Sequence, residues 1–238
     1  MLSGTVSVGG RTAKWAFSSR HGGVSEAPYA GNNMAGHVGD DPAHVRANRV
    51  GLEQAFAAGP LSWMGPVHGV EVRLLRQPAA ITPDVDALAT RDAQTPLVTL
   101  GADCVPMLVV VEDWVVAAHV GWRGLVDGMT ASVAGHLQAQ GVRLPSAQVL
   151  LGPAICGACY GVSQERAALV AAACEPALSV ARNGGPGADI RVGLAAEWRD
   201  LGAEVRIVGD CTFESPAYFS HRRDGVTGRQ AGVIGWLT

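Results

Sequence analysis

Cys104, His119 and His68 are the residues whose types could do chemistry together. Cys104 and His119 bracket two apolar runs in GADCVPMLVVVEDWVVAAHVGWRG, residues 101–124, and His68 stands in MGPVHGVEV. Three readings compete. A thiol beside an imidazole base is a pair used for nucleophilic catalysis. One Cys and two His with a fourth position open form a ligand set of catalytic zinc, which brings the pKa of a bound water toward about 7. The third reading is a buried thiol and two hydrogen-bonded histidines with no chemistry, since free Cys also fills cores. The separation of Cys104 from His119 along the chain matches no local metal motif, so spacing does not choose among the three.

Strands must position all three residues. VEVRLL alternates apolar residues at 70, 72 and 74, the period of a half-buried strand that begins just after His68. PLVTLG, PMLVVV and WVVAAHV are nearly continuous apolar runs, the pattern of strands buried on both faces. Cys104 then precedes one strand and His119 ends another, with Glu112-Asp113 as a hairpin turn that lacks the favoured glycine.

KWAFSS reads as a strand leading into the Gly-rich loop RHGGVSEAPYAGNNMAG. Asp41-Pro42 is an N-cap and first-turn pair, and Val45, Leu52 and Phe56 follow at helical spacing, predicting a helix over 42–58. Leu125, Met129, Val133 and Leu137 recur every four residues, predicting one helix over 124–140 that Gly141 ends. AQVLLG and EVRIVG read as strands, SQERAALVAAAC and AAEWRDLG as helices, and ARNGGPGADI as a loop. Helices and strands mix without strict βαβ alternation, so the fold class is α+β with a mixed sheet. No linker divides the chain, and 1–238 reads as a single domain.

Composition narrows the function. With 48% hydrophobic and 16% charged residues the chain can bury a sizeable core. A net charge of -3 gives no electrostatic footprint for nucleic acid or an anionic membrane. No window offers the roughly 18 uninterrupted apolar residues of a membrane span, and MLSGTVSVGGRTAKW lacks the order of a signal peptide. A cytoplasmic protein is expected. Five cysteines, at 104, 156, 159, 174 and 211, are too few for a disulfide scaffold and fit a reducing compartment. CGAC, 156–159, is a lone CxxC: a zinc ribbon would need a second pair, and a redox motif would open a thioredoxin-like helix. Neither context is present.

Seven stretches resemble the YfiH-like, laccase-domain family, once called multicopper polyphenol oxidases and now associated with purine nucleoside phosphorylase activity. They are SSRHGGVSEAPYAGNNMAGHVGDDPAHVRANR, VHGVEV, VDALAT, GADCVPMLVV, AAHVGWRGL, GPAICGACYGVS and CTFESPAYFSHRRDGVTGR, in family order across nearly the whole chain. The resemblance implies a layered sandwich of mixed β-sheets flanked by helices, with CGAC as a structural loop near the site. It also implies that His68, Cys104 and His119 are zinc ligands, with purine nucleosides (adenosine, inosine, methylthioadenosine) and phosphate as substrates and adenosine deamination as a second activity. Arg222 and Arg223 in SHRRDG, with Arg123 in GWRG and Arg20 in SRHGG, offer charge for phosphate, and Asn33, Asn48 and Arg49 offer hydrogen bonds to ribose or base. RHGGVS matches neither phosphate-cradling glycine pattern.

Departures from the family pattern bear on substrate more than on metal. Pro66 stands where the family usually has Gln, and Tyr160-Gly161-Val162 where it has Tyr-Glu-Val. Glu71, the nearest carboxylate in sequence to His68 that a deaminase could use, sits in an alternating strand and reads as a surface residue. The competing functions are a copper-dependent polyphenol oxidase, a cysteine hydrolase using Cys104 and His119 (including one that edits cell-wall precursors), and a non-catalytic partner protein. Seven histidines without a full set of His-X-His pairs argue against a trinuclear copper cluster. A monomer is expected.

Overall fold

The computed structural model describes residues 1–56 and 59–237. The chain begins with β1 (Leu2–Val8), β2 (Arg11–Phe17), α1 (Pro42–Phe56), β3 (Ser62–Gly65), β4 (Val72–Leu74), β5 (Thr82–Pro83) and β6 (Ala87–Thr90). Next come β7 (Leu97–Gly101), β8 (Val105–Val111), β9 (Trp114–Val120), α2 (Trp122–Val126) and α3 (Met129–Ala139). The remainder holds β10 (Gln148–Leu151), α4 (Gln164–Ala173), β11 (Leu178–Val180), β12 (Pro186–Ala188), α5 (Ile190–Asp200), β13 (Glu204–Ile207), α6 (His221–Asp224) and β14 (Gln230–Trp236).

Two six-stranded mixed sheets form, ordered β1-β2-β14-β7-β3-β5 and β13-β10-β8-β9-β6-β4, and β11 pairs with β12 as a separate hairpin. The sheets face each other across a core that takes Phe17, Leu97, Ile234 and Trp236 from the first and Leu108, Val110, Val115 and Leu150 from the second. The far side of the second sheet, with Met107, Val109 and Val116, packs on Leu125, Met129, Val133, Leu194 and Trp198 of the helices. The far side of the first sheet packs Trp63, Val98 and Val233 against Leu52 and Phe56 of α1. Alternate residues of β8 therefore enter two different cores, which is why that strand is apolar at almost every position.

The structure has the α+β layered fold. Expected and observed elements agree over the described part of α1 and differ in three informative places. The helix predicted over 42–58 runs Pro42–Phe56, and 57 and 58 lie outside the described residues. The helix predicted over 124–140 is two helices, because Gly128 has a φ of 86° between α2 and α3; a period-four apolar pattern is blind to such a residue. Part of ARNGGPGADI belongs to a hairpin, with Val180 opposite Pro186. β1 and β14 carry glycines that obscure their alternation, yet β14 lies between β2 and β7 inside its sheet.

Candidate functional site

The β8–β9 hairpin answers why one apolar stretch carries a Cys at one end and a His at the other. Val111 pairs with Trp114 around Glu112-Asp113, and Glu112 takes the positive φ of 50° that the tight turn demands without a glycine. In this register Val105 faces Val120 and Pro106 faces His119, so Cys104 and His119 meet at the open end. Gly121 follows β9 directly. A Cβ there would lie 3.1 Å from Cys104 Sγ and 3.5 Å from His68 Cδ2, so a larger residue would crowd the thiol.

His68 comes from the loop between β3 and β4, and Asp86, just before β6, holds that loop. The fully buried Asp86 carboxylate accepts the amides of Val67, His68 and Gly69 at 3.1, 3.0 and 2.8 Å. It also accepts Nδ1–H of His119 at 2.9 Å, which turns Nε2 of that ring toward the other two residues. The rings of His68 and His119 stand edge to face with centroids 4.8 Å apart. The candidate ligand atoms of His68, Cys104 and His119 all lie within 4.8 Å of one another.

Electrostatics favours the ligating form of the thiol. Burial alone would push the Cys104 thiol up, but His119 and His68 outweigh it and bring the pKa down to about 6. Burial would push His119 down, but the charges of Cys104 and Asp86 and their hydrogen bonds raise it to about 9. Both shifts run in the same direction, favouring a proton on His119 and a thiolate at Cys104. A cation bound there would replace that proton as the partner of the thiolate, and Asp86 stands where metal-bound histidines commonly have an outer carboxylate. One thiolate and two imidazoles suit zinc, and copper also accepts this set. His68 and His119 are the two histidines of this cluster among the described residues.

These three residues line one wall of a cavity of about 550 Å³. Tyr160, Arg166, Arg222 and Arg229 line it as well, together with His37 and His221. Arg222 lies 4.8 Å over the ring of Tyr160 and donates to the carbonyl of Gly161 at 2.8 Å. None of Arg166, Arg222 and Arg229 forms an ion pair among the described residues. Asp103, at a strained φ of 93°, accepts the Thr212 hydroxyl and the Arg222 amide, each at 2.6 Å. It thereby fixes the start of α6 to the residue beside Cys104.

Of the residues offered from the sequence for phosphate, ribose or base, Arg222 alone reaches this cavity, which Pro66 and Tyr160, two positions marked as departures from the family pattern, also line. Arg223 is spent on structure, donating to the carbonyls of Thr212, Phe213, Ser215 and Tyr218 and pairing with Asp224. Arg20 donates to the Ala30 carbonyl and pairs with Asp224 at 3.6 Å. Arg123 stacks on Trp122 at 5.5 Å. Buried Asn48 binds the amide of Val24, the Ser25 hydroxyl and the carbonyls of Gly31 and Asn33. Buried Asn33 binds Ala35, Asp40 and the amide of Arg229. Arg49 donates to the Met34 carbonyl and stacks on Trp63, in a different cavity.

Sequence reasoning missed Asp86, Arg166, Arg229, Tyr160 and His37. Asp86 and Arg229 lie in the stretches VDALAT and GVTGR, where their types alone announce nothing. Arg166 sits in the first turn of α4 and reads as a solvated helix position until the fold brings it 4.5 Å from Trp122.

Residues 14–237 match the family described as multi-copper polyphenol oxidoreductase laccase. The chain is 40% identical over 234 residues to purine nucleoside phosphorylase ORF3 of Streptomyces griseus, covering 95% of each chain. It is 34% identical over 230 residues to purine nucleoside phosphorylase YfiH of Escherichia coli, covering 92% of each. The crystal structure of YlmD from Geobacillus stearothermophilus superposes with a TM-score of 0.86 at 29% identity, covering 95% of this chain and 92% of that one. The chain belongs to the multi-copper polyphenol oxidoreductase laccase family, the YfiH-like proteins.

Proposed function

We propose that this chain acts as one catalytic domain, a zinc-dependent purine nucleoside phosphorylase for adenosine, inosine and methylthioadenosine, with adenosine deaminase as a second activity. The observation that carries the reading is the meeting of His68, Cys104 and His119 in the wall of a cavity rich in unpaired arginine. Relatives named purine nucleoside phosphorylase support the substrate class.

His68, Cys104 and His119 would hold the metal, with Asp86 fixing the His119 ring. Bound zinc supplies Lewis acidity toward an anionic or water acceptor. In phosphorolysis a phosphate oxygen forms a bond to C1′ of the ribose while the bond from C1′ to the purine nitrogen breaks, and the base leaves with a proton. Arg166, Arg222 and Arg229 supply the positive charge that gathers phosphate and orients it for that displacement. Tyr160, under the Arg222 guanidinium, offers a flat face to a purine. In deamination water adds at C6 of the purine and ammonia departs.

Adenosine offered to the zinc-loaded protein should give adenine and ribose 1-phosphate only when phosphate is added, and inosine with or without it. Neither product from stoichiometrically zinc-loaded protein would overturn the assignment. The thiolate character of Cys104 favours one second reading, a cysteine hydrolase with His119 as base. Alkylation separates the two. A zinc-bound thiolate reacts slowly until a chelator is added, whereas a catalytic thiolate reacts readily in the active, metal-loaded protein. Copper oxidation of phenols requires activity that follows copper content instead.

A further inference from the structure

A second group of soft ligands lies outside the pocket chemistry. Cys156 and Cys159 belong to a tight turn in which the Cys156 carbonyl accepts the amides of Cys159 at 3.0 Å and Tyr160 at 2.9 Å. Against this turn runs the segment that begins at Cys211. Ala154 and Cys211 form a parallel bridge, the Thr212 amide donates to the Ala154 carbonyl at 3.1 Å, and the Cys156 amide donates to Cys211 Sγ at 3.3 Å. The Cys211 carbonyl in turn accepts the amide of Ser215 at 2.9 Å, which curls Glu214 back toward its own Cys. The three thiols are free, and their sulfurs and a Glu214 carboxylate oxygen all lie within 4.8 Å of one another.

We propose that Cys156, Cys159, Cys211 and Glu214 form a structural zinc site distinct from the pocket triad. The pattern is that of two facing knuckles, Cys-x-x-Cys from one turn and Cys-x-x-Glu from the other. The second pair that a lone CxxC lacks is supplied from 55 residues further on in the chain. Four protein ligands close the coordination shell, as structural zinc requires, whereas the pocket triad leaves a position open. Tetrahedral zinc holds sulfurs about 3.8 Å apart for Zn–S bonds near 2.3 Å, and the ligand atoms here already lie within 4.8 Å of one another. On binding, each thiol releases its proton to solvent. Three thiolates and a carboxylate around a dication leave net negative charge, and two cations face it. Arg182 pairs with Glu214, and Arg223 donates to the Thr212, Phe213 and Ser215 carbonyls of the Cys211 turn.

The site would clip together the two segments that build one wall of the cavity. Tyr160 follows the first knuckle directly, and Arg222, which lies over it, follows the second after α6 begins.

The test removes the pocket ligands first. His68→Ala/Cys104→Ala leaves the Asp86–His119 pair intact and is loaded with zinc under reductant, then desalted and analysed for metal. It should retain roughly one zinc per chain, and adding Cys156→Ser/Cys159→Ser should lower that to none. Wild-type protein keeps the result readable should the quadruple variant fold poorly. Iodoacetamide should modify the part-exposed Cys156 slowly with zinc bound and faster after chelation, while buried Cys211 stays slow in both. The proposal is overturned if the double variant retains no zinc, if Cys156 alkylates equally fast with and without chelator, or if freshly purified protein carries a disulfide among the three thiols. All of these readouts are independent of nucleoside turnover.

Discussion

Two regions of this molecule are equally rich in polar side chains and use them in opposite ways. Around the Gly-rich loop, Asn33 and Asn48 are buried and nearly every donor and acceptor is matched within the protein. Around the open end of the β8–β9 hairpin, Arg166, Arg222 and Arg229 point into a cavity without a carboxylate partner. The difference teaches how to tell a fastener from a reagent. A buried polar group whose bonds are complete stabilises the loop it ties down, since leaving a partner unmatched costs about 1–3 kcal/mol. A charged group left unmatched in a cavity has its partner still to come. The neighbours Arg222 and Arg223 show the same contrast one residue apart: one reaches the cavity and the other is consumed by four carbonyls.

The largest effect should come from His119→Ala. It removes a candidate ligand and strands Asp86, so zinc content, phosphorolysis and deamination should fall together to background. Activity retained in full would break the contrast at its functional end. Asp86→Asn leaves the three ligands in place but weakens the hydrogen bond that orients one of them. Losses of outer carboxylates of this kind run to roughly 10–100-fold in metal affinity or activity, and competition with a graded chelator would measure it.

Arg222→Ala should raise the phosphate KM of phosphorolysis by about 10-fold or more, the worth of a charge-assisted bond, with deamination little changed. Arg223→Ala should instead lower unfolding stability by about 1–3 kcal/mol in urea denaturation, with the phosphate KM of the folded protein unchanged. Identical kinetic behaviour of the two variants would erase the distinction drawn between them. The smallest effect on turnover is expected for Asn48→Ala. Its melting temperature should drop while kcat per folded molecule stays at the wild-type value; a kcat loss without a stability loss would move Asn48 into the site.

Much of the fold was legible because it rests on local periodicity. The continuous apolar runs of β8 and β9, the alternation around Val72, and the spacing of Val45, Leu52 and Phe56 each report which faces of one element are buried. The divided helix at Gly128 was not legible, because a single left-handed residue leaves the apolar spacing on both sides unchanged.

By itself the sequence determined the buried hairpin and therefore the pairing of its two ends. Once Val111 pairs with Trp114 the pleat dictates that Pro106 faces His119, and Cys104 follows one residue before the strand. Residue type made a Cys–His chemistry or a metal the candidates there. Which polar residues join that pair was decided only in three dimensions. Asp86 reaches His119 from just before β6, Arg166 lines the cavity from a helix and Arg229 from just before β14, and Cys211 reaches Cys156 across 55 residues. A period of 2 or 3.6 residues records neighbours along one element, whereas ligation and charge depend on neighbours through space.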